Sequence, residues 1–136
     1  MERAVRPLRA LADTDLCLSA GGDLVCQVAG PDSPGWRIGI EDPHDPSRLV
    51  ATVPVRTGAV ATSGTAHRGE HLVDGRTGLP PEGVASVTVV TASLTWADID
   101  ATAAYALGPD AARWLGTRTG RTGIVVWADG STTLVS

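Results

Sequence analysis

The spacing of hydrophobic and polar positions changes several times along the chain, and each change marks an element. Residues 2–12 place Ala4, Val5, Leu8 and Leu11 on one stripe and Arg3, Arg6 and Arg9 on other faces. That is the spacing of a short amphipathic helix, with Pro7 as a blemish that kinks it or delays its start. Residues 16–19 and 24–28 are apolar runs joined by Ala20-Gly21-Gly22-Asp23, whose paired glycines supply the positive φ of a hairpin turn. Residues 36–40 alternate Trp36, Ile38 and Ile40 against Arg37 and Gly39, as a half-buried strand does. EDPHDPSR, residues 41–48, reads as a surface loop. Strands are expected over 49–55 and 59–62. Residues 63–84 are rich in glycine and polar side chains, with room only for a short strand at 71–73. A loop of that length in a compact domain is ordinarily functional or a lid. Residues 84–92 are β-branched almost throughout and predict a central strand. A helix over 95–108 follows, broken by Gly108-Pro109, then a short helix over 110–116 and a closing hairpin of 124–128 and 132–135 around Asp129-Gly130. Consecutive strands dominate this order. It predicts an α+β domain with a largely antiparallel or mixed sheet and helices packed on it.

Composition narrows the picture. A chain of 136 residues, 43% hydrophobic and 19% charged, is one folded domain with a core of its own. A net charge of −4 argues against a nucleic-acid partner. Cys17 and Cys26 sit in apolar strand-like runs and belong to no CxxC, so they read as small buried hydrophobes in a reducing compartment rather than as zinc ligands. No apolar run reaches membrane-spanning length, and the charged N-terminus lacks the apolar block of a signal peptide. A cytoplasmic location is the expectation.

Candidate chemistry concentrates in three places. Asp98 and Thr102 are four residues apart on the helix over 95–108 and share a face. Thr95-x-x-Asp98 fits a capping box, in which Thr102 is an ordinary helical threonine. The same oxygens also suit a hard cation such as Mg²⁺, which takes few protein ligands and completes its shell from water or phosphate. His71 stands beside Asp74 and Arg76 in a glycine-rich stretch suited to phosphate approach or proton transfer, whereas His44 and His67 read as solvated. Gly21-Gly22-Asp23 is either a plain turn or a place where a ligand approaches the backbone. No GxGxxG, Walker motif, nucleophile elbow or HExxH is present.

Taken in order, LSAGGDLVC (18–26), WRIGIEDPHDPSR (36–48), GAVATSG (58–64), HLVDGRTGLP (71–80), ASVTVVT (85–91) and ADIDATAAYALG (97–108) resemble the C-terminal portion of the ApbE family, the FAD:protein FMN transferases. The resemblance spans nearly the whole chain, so residues 1–136 are expected to form one truncated domain of that fold. It implies an enzyme that binds FAD and Mg²⁺, cleaves the pyrophosphate, passes FMN to a Thr or Ser hydroxyl of a target flavoprotein and releases AMP. It implies that His71 is the general base, that Asp98 and Thr102 are metal ligands, and that Gly21, Gly22 and Asp23, Thr62, Ser63 and Gly64, and Thr77 and Gly78 lie against FAD. Two departures stand out. Gly75 replaces the family's proline after the loop aspartate. The family's N-terminal portion, whose Gly-Ile-Ala-Lys-Gly-like segment gives the metal a backbone carbonyl, has no counterpart in these residues. Three readings stay open: a piece of a complete transferase, half of a split enzyme completed by a partner chain or a second copy, and a non-catalytic flavin-binding or scaffold module.

Overall fold

The computed structural model describes residues 1–65, 69 and 71–136. A short helix, α1 (Glu2–Leu8), leads into strands β1 (Leu16–Ala20) and β2 (Asp23–Gln27), then β3 (Trp36–Asp42), β4 (Asp45–Val55) and β5 (Gly58–Gly64). After the glycine-rich segment come β6 (Val84–Thr91), the main helix α2 (Leu94–Ala106), a 3₁₀ turn (Gly108–Asp110), α3 (Ala111–Leu115), β7 (Thr122–Trp127) and β8 (Thr132–Val135). The α+β expectation holds. A six-stranded sheet runs β1-β2-β5-β6-β7-β8, every neighbouring pair is antiparallel, and β6 is interior as its β-branched run requires. Among the described residues no helix is long and apolar enough to cross a membrane.

The sheet is covered on both faces. On one, Val87, Val89 and Val125 pack with Ala101, Ala104, Tyr105 and Leu115 of the helices. Ala97, Ala101 and Ala104 are all 0% exposed, and these small side chains let α2 lie close across β5 and β6. On the other face, Val60, Ile124 and Val126 meet Ile38, Ile40 and Val55 of the separate β3–β4 ribbon. The buried α1 residue Val5 joins Val25, Ala59, Ala61, Leu94 and Ala97 at the β1–β2 end.

Several boundaries differ from the sequence reading. EDPHDPSR is not a loop: β3 and β4 pair as far as Asp42↔Asp45, with irregular register around Glu41. Asp42 accepts from the His44 amide at 2.9 Å and Asp45 from the Ser47 amide at 3.0 Å, so these acids build the hairpin end. Pro46 is tolerated because the ribbon has open edges that need no donor there. Helix α1 stops at Leu8 rather than continuing to residue 12, with Pro7 in its last turn. Residues 71–73 carry no strand, and residues 66–68 and 70 of the same segment lie outside the described residues, His67 among them.

Cys17 and Cys26 are direct cross-strand partners with their Sγ atoms 3.2 Å apart, both as free thiols. Cys26 is 1% exposed. Burial, and secondarily the adjacent Cys17 thiol, push its pKa up to about 12. Iodoacetamide under native conditions at about pH 8 is therefore expected to modify Cys17 and spare Cys26. Peptide mapping checks this, and prompt labelling of Cys26 would mean that the β1–β2 hairpin opens readily.

Candidate functional site

The C-terminal part of β5 and the N-terminal half of α2 meet at one cavity. It has a volume of about 340 Å³, within the range of small-molecule sites. The Gly21-Gly22 turn forms one rim. Its glycines hold φ of 63° and 94°, the left-handed pair that closes a two-residue hairpin. Asp23 follows the turn and also lines the cavity. The end of β5 contributes Thr62, Ser63 and Gly64, and α2 contributes Asp98 and Thr102. The Ser63 and Thr102 hydroxyls share a hydrogen bond of 2.9 Å, tying helix to strand at the site. Thr62 bonds Thr88 across the sheet at 2.8 Å.

Helix α2 begins earlier than the Thr95-x-x-Asp98 pattern suggests. Leu94 is the first helical residue, Ser93 is the N-cap, and no acid stands in the first turn. Thr95 is inside the helix, so the capping box is not formed. Leu94 is 7% exposed, and burying it against Val5 and Val25 draws the helix start back along the chain. Asp98, freed of a capping role, is exposed at the cavity edge and forms no hydrogen bond or ion pair among the described residues.

His71 also lines the cavity. Its Nδ1 lies 2.8 Å from the Gly69 carbonyl oxygen. A carbonyl can only accept, so in the neutral ring Nδ1 carries the proton and Nε2 is the free base. Asp74 does not orient this ring. Its carboxylate takes Arg76 Nε at 2.9 Å and Nη2 at 2.7 Å, and these hydrogen bonds hold its pKa down to about 2. Thr77 and Gly78 do not line the cavity: their amides bond the Asp74 carbonyl at 3.1 and 2.7 Å in an exposed turn. His44 is exposed with Nε2 3.2 Å from the Trp127 carbonyl.

The cavity also draws in residues the sequence reading did not single out as binding groups: Leu24, Ile38, Ile40, Glu41, Val60, Leu72 and Ser86. For Ser86 the signal was present, since it and Thr88 alternate with Val87 and Val89 in a buried strand. Just behind the site, Asp100 on α2 is 0% exposed and bonds Arg121 Nε at 2.6 Å and Arg118 Nε at 3.2 Å. The two guanidiniums stack over Trp96 and Trp114.

Asp23, Glu41 and Asp98 give the cavity three carboxylates, and among the described residues no Arg or Lys lines it. They are dispersed: no group of three or more His, Cys, Asp or Glu side chains is close enough to hold a metal ion among the described residues.

Comparison with known proteins agrees with this architecture. A "FAD:protein FMN transferase" of Rhodobacter capsulatus is 34% identical over 120 residues, which cover 81% of this chain and 22% of that protein. The crystal structure of the ApbE protein from Thermotoga maritima superposes with a TM-score of 0.76 at 28% identity, covering 91% of this chain and 43% of that one. The apo form of Pseudomonas stutzeri flavinyl transferase ApbE superposes with a TM-score of 0.78 at 28% identity, covering 99% and 44% respectively. The chain thus spans less than half the length of these relatives, and corresponds to the C-terminal part of their fold. With a family match that extends over residues 1–125, the chain belongs to the ApbE family.

Proposed function

We propose that the cavity binds FAD, together with Mg²⁺, and that this chain provides the metal-side and base-side groups for transfer of FMN to a Thr or Ser hydroxyl of a target protein. The observation that carries this reading is the convergence of Gly21-Gly22-Asp23, Thr62-Ser63-Gly64, His71, Asp98 and Thr102 on one cavity. They come from four separate stretches of the chain, and a purely structural origin gives no reason for them to meet.

The acidity of the cavity bears on the cation. A pyrophosphate beside the Asp98 carboxylate would be repelled. A divalent cation removes that repulsion. The donors near α2, the Asp98 carboxylate and the Thr102 and Ser63 hydroxyls, are all oxygens, the ligand type Mg²⁺ prefers. Asp98 and Thr102 would hold the ion, and the rest of its shell would come from phosphate and water. When bound, Mg²⁺ supplies charge neutralisation at the pyrophosphate.

The chain's own groups divide the remaining work. Backbone at Gly21-Gly22 lets a ligand approach without side-chain obstruction. His71 Nε2 takes the proton of the acceptor hydroxyl as its oxygen attacks phosphorus, with AMP as the leaving group. Because the chain spans less than half of its relatives' length, completion of the site by a further segment, a partner chain or a second copy belongs to the same proposal.

Incubation with FAD, Mg²⁺ and a flavin-acceptor domain, with and without a polypeptide comprising the remaining portion of a relative, tests the reading. A covalent fluorescent adduct is expected, and His71→Ala should lower its rate about 10²–10⁴-fold while leaving FAD binding intact. No adduct under either condition, with FAD bound, would leave the non-catalytic flavin-binding reading in its place.

A further inference from the structure

We infer that Ser86 is a ligand-reading residue of the cavity, whose hydroxyl hydrogen-bonds the edge of one of the two flat nitrogen heterocycles of the bound dinucleotide. The inference rests on the FAD reading and deepens it.

Ser86 is 4% exposed, and its Oγ is buried without a hydrogen-bond partner among the described residues. A buried hydroxyl left unmatched carries an uncompensated desolvation cost, and such groups in native proteins nearly always have a partner. The rest of the same strand face shows the contrast. Thr88, two residues on, is equally buried, but its hydroxyl is matched by Thr62 at 2.8 Å. Ser86 is the member of that row that lines the cavity. Its partner is therefore sought in the cavity's occupant.

The local backbone is irregular beside this hydroxyl. The pairing of β6 with β7 is irregular between Val84 and Ser86, a bulge of the kind that re-aims side chains next to binding sites. On the other side Ser86 pairs with Gly64. A Cβ at position 64 would stand 2.9 Å from the Ala85 carbonyl oxygen and 3.1 Å from Ser86 Cβ, so glycine leaves the space beside the serine clear.

The surroundings select a ring rather than a phosphate. Leu24, Ile38, Ile40 and Val60 line the cavity and belong to the apolar layer between sheet and ribbon. They provide flat apolar walls, and no Arg or Lys among the described lining residues could meet a phosphate charge. A hydroxyl that both donates and accepts, set among apolar side chains, suits the ring nitrogen or carbonyl edge of a heterocycle.

Ser86→Ala tests this in the full chain by three dissociation constants, for FAD, FMN and AMP, and by the thermal midpoint without ligand. Expected are FAD binding weakened about three- to tenfold, an unliganded midpoint unchanged or raised, and a loss confined to one half of the dinucleotide. Loss for FMN alone assigns the isoalloxazine edge, and loss for AMP alone assigns the adenine edge. Equal loss for both, or for neither, overturns the inference. So does a lowered unliganded midpoint with unchanged FAD affinity, which would mean that a structural water satisfies the hydroxyl. Wild-type protein that binds FAD while Ser86→Ala binds it equally well defeats the Ser86 assignment alone. Wild-type protein that does not bind FAD defeats the FAD reading and the assignment with it.

Discussion

Asp100→Ala is expected to destabilise the fold by about 3 kcal/mol, the largest single-residue effect outside the site chemistry. The carboxylate is 0% exposed and is the common acceptor for Arg118 and Arg121. Removing it leaves two guanidiniums facing a vacated apolar pocket. The value sits at the low end of the usual range for breaking a buried pair, because Arg118 is 35% exposed and can turn to water. Arg121 is 17% exposed and held by the Thr119 carbonyl at 3.0 Å and by the Trp96 ring, so it has less freedom to relax. Arg121→Ala should accordingly cost more than Arg118→Ala, and the Asp100–Arg121 coupling in a double-mutant cycle should exceed that of Asp100–Arg118. Urea unfolding of the three single and two double variants with wild type measures this. Equal, sub-kcal/mol losses would show that the cluster is dispensable. The effect also reaches the site, since Asp100 clamps α2 between Asp98 and Thr102 to the loop before β7.

Local pattern found the elements better than it found their ends. The β-branched run of β6, the glycine pair between β1 and β2, and the break at Gly108-Pro109 are each decided by backbone preference, and each stands where expected. Gly108, at φ 55°, is a case where the residue has no substitute: a Cβ would come within 2.9 Å of the Glu82 carbonyl oxygen. The misreadings share one cause, tertiary context overriding local signals. Asp and Pro in residues 41–48 signalled a loop, but the β3–β4 ribbon lies on the sheet and has edges where a proline does no harm. Thr95 and Asp98 matched a capping box, but burial of Leu94 moved the helix start.

The site was legible in a different way. Ser63 and Thr102 are 39 residues apart, and no local periodicity links them. Their shared membership of one site came from the family resemblance, and the hydrogen bond between them is its physical counterpart here. Asp100 was invisible as a buried ion pair because its arginines lie 18 and 21 residues downstream, past a helix, a turn and a second helix. An acid three residues after Ala97 and four before Ala104 does fall on the buried face of α2, and that spacing was the available clue.

Asp98→Ala and Asp98→Asn together separate the two roles first open to this residue. Were Asp98 part of a helix cap, Asp98→Ala would cost about 1 kcal/mol of stability, whereas asparagine would keep the cap. In the fold Asp98 is exposed, lies beyond the first turn and has no partner among the described residues, so the unfolding free energy of either variant is expected to stay within about 0.5 kcal/mol of wild type. The proposed metal role predicts the opposite balance for chemistry. Asparagine keeps an oxygen and the shape but removes the charge that would bind Mg²⁺ beside the pyrophosphate. Several kcal/mol of lost charge stabilisation corresponds to a transfer rate lower by about 10²-fold or more. Partial recovery at raised Mg²⁺ is expected, because a weakened site fills by mass action. Thr102→Ala should behave differently: it removes a weaker, neutral ligand but also the 2.9 Å bond to Ser63, which is 8% exposed, and so costs about 1 kcal/mol of stability as well. Transfer rates across a Mg²⁺ titration, paired with urea unfolding of all three variants, give the comparison. Unchanged rates and Mg²⁺ dependence in Asp98→Asn would remove the metal from α2 and leave the Ser63–Thr102 bond as the structural reason for threonine at that position.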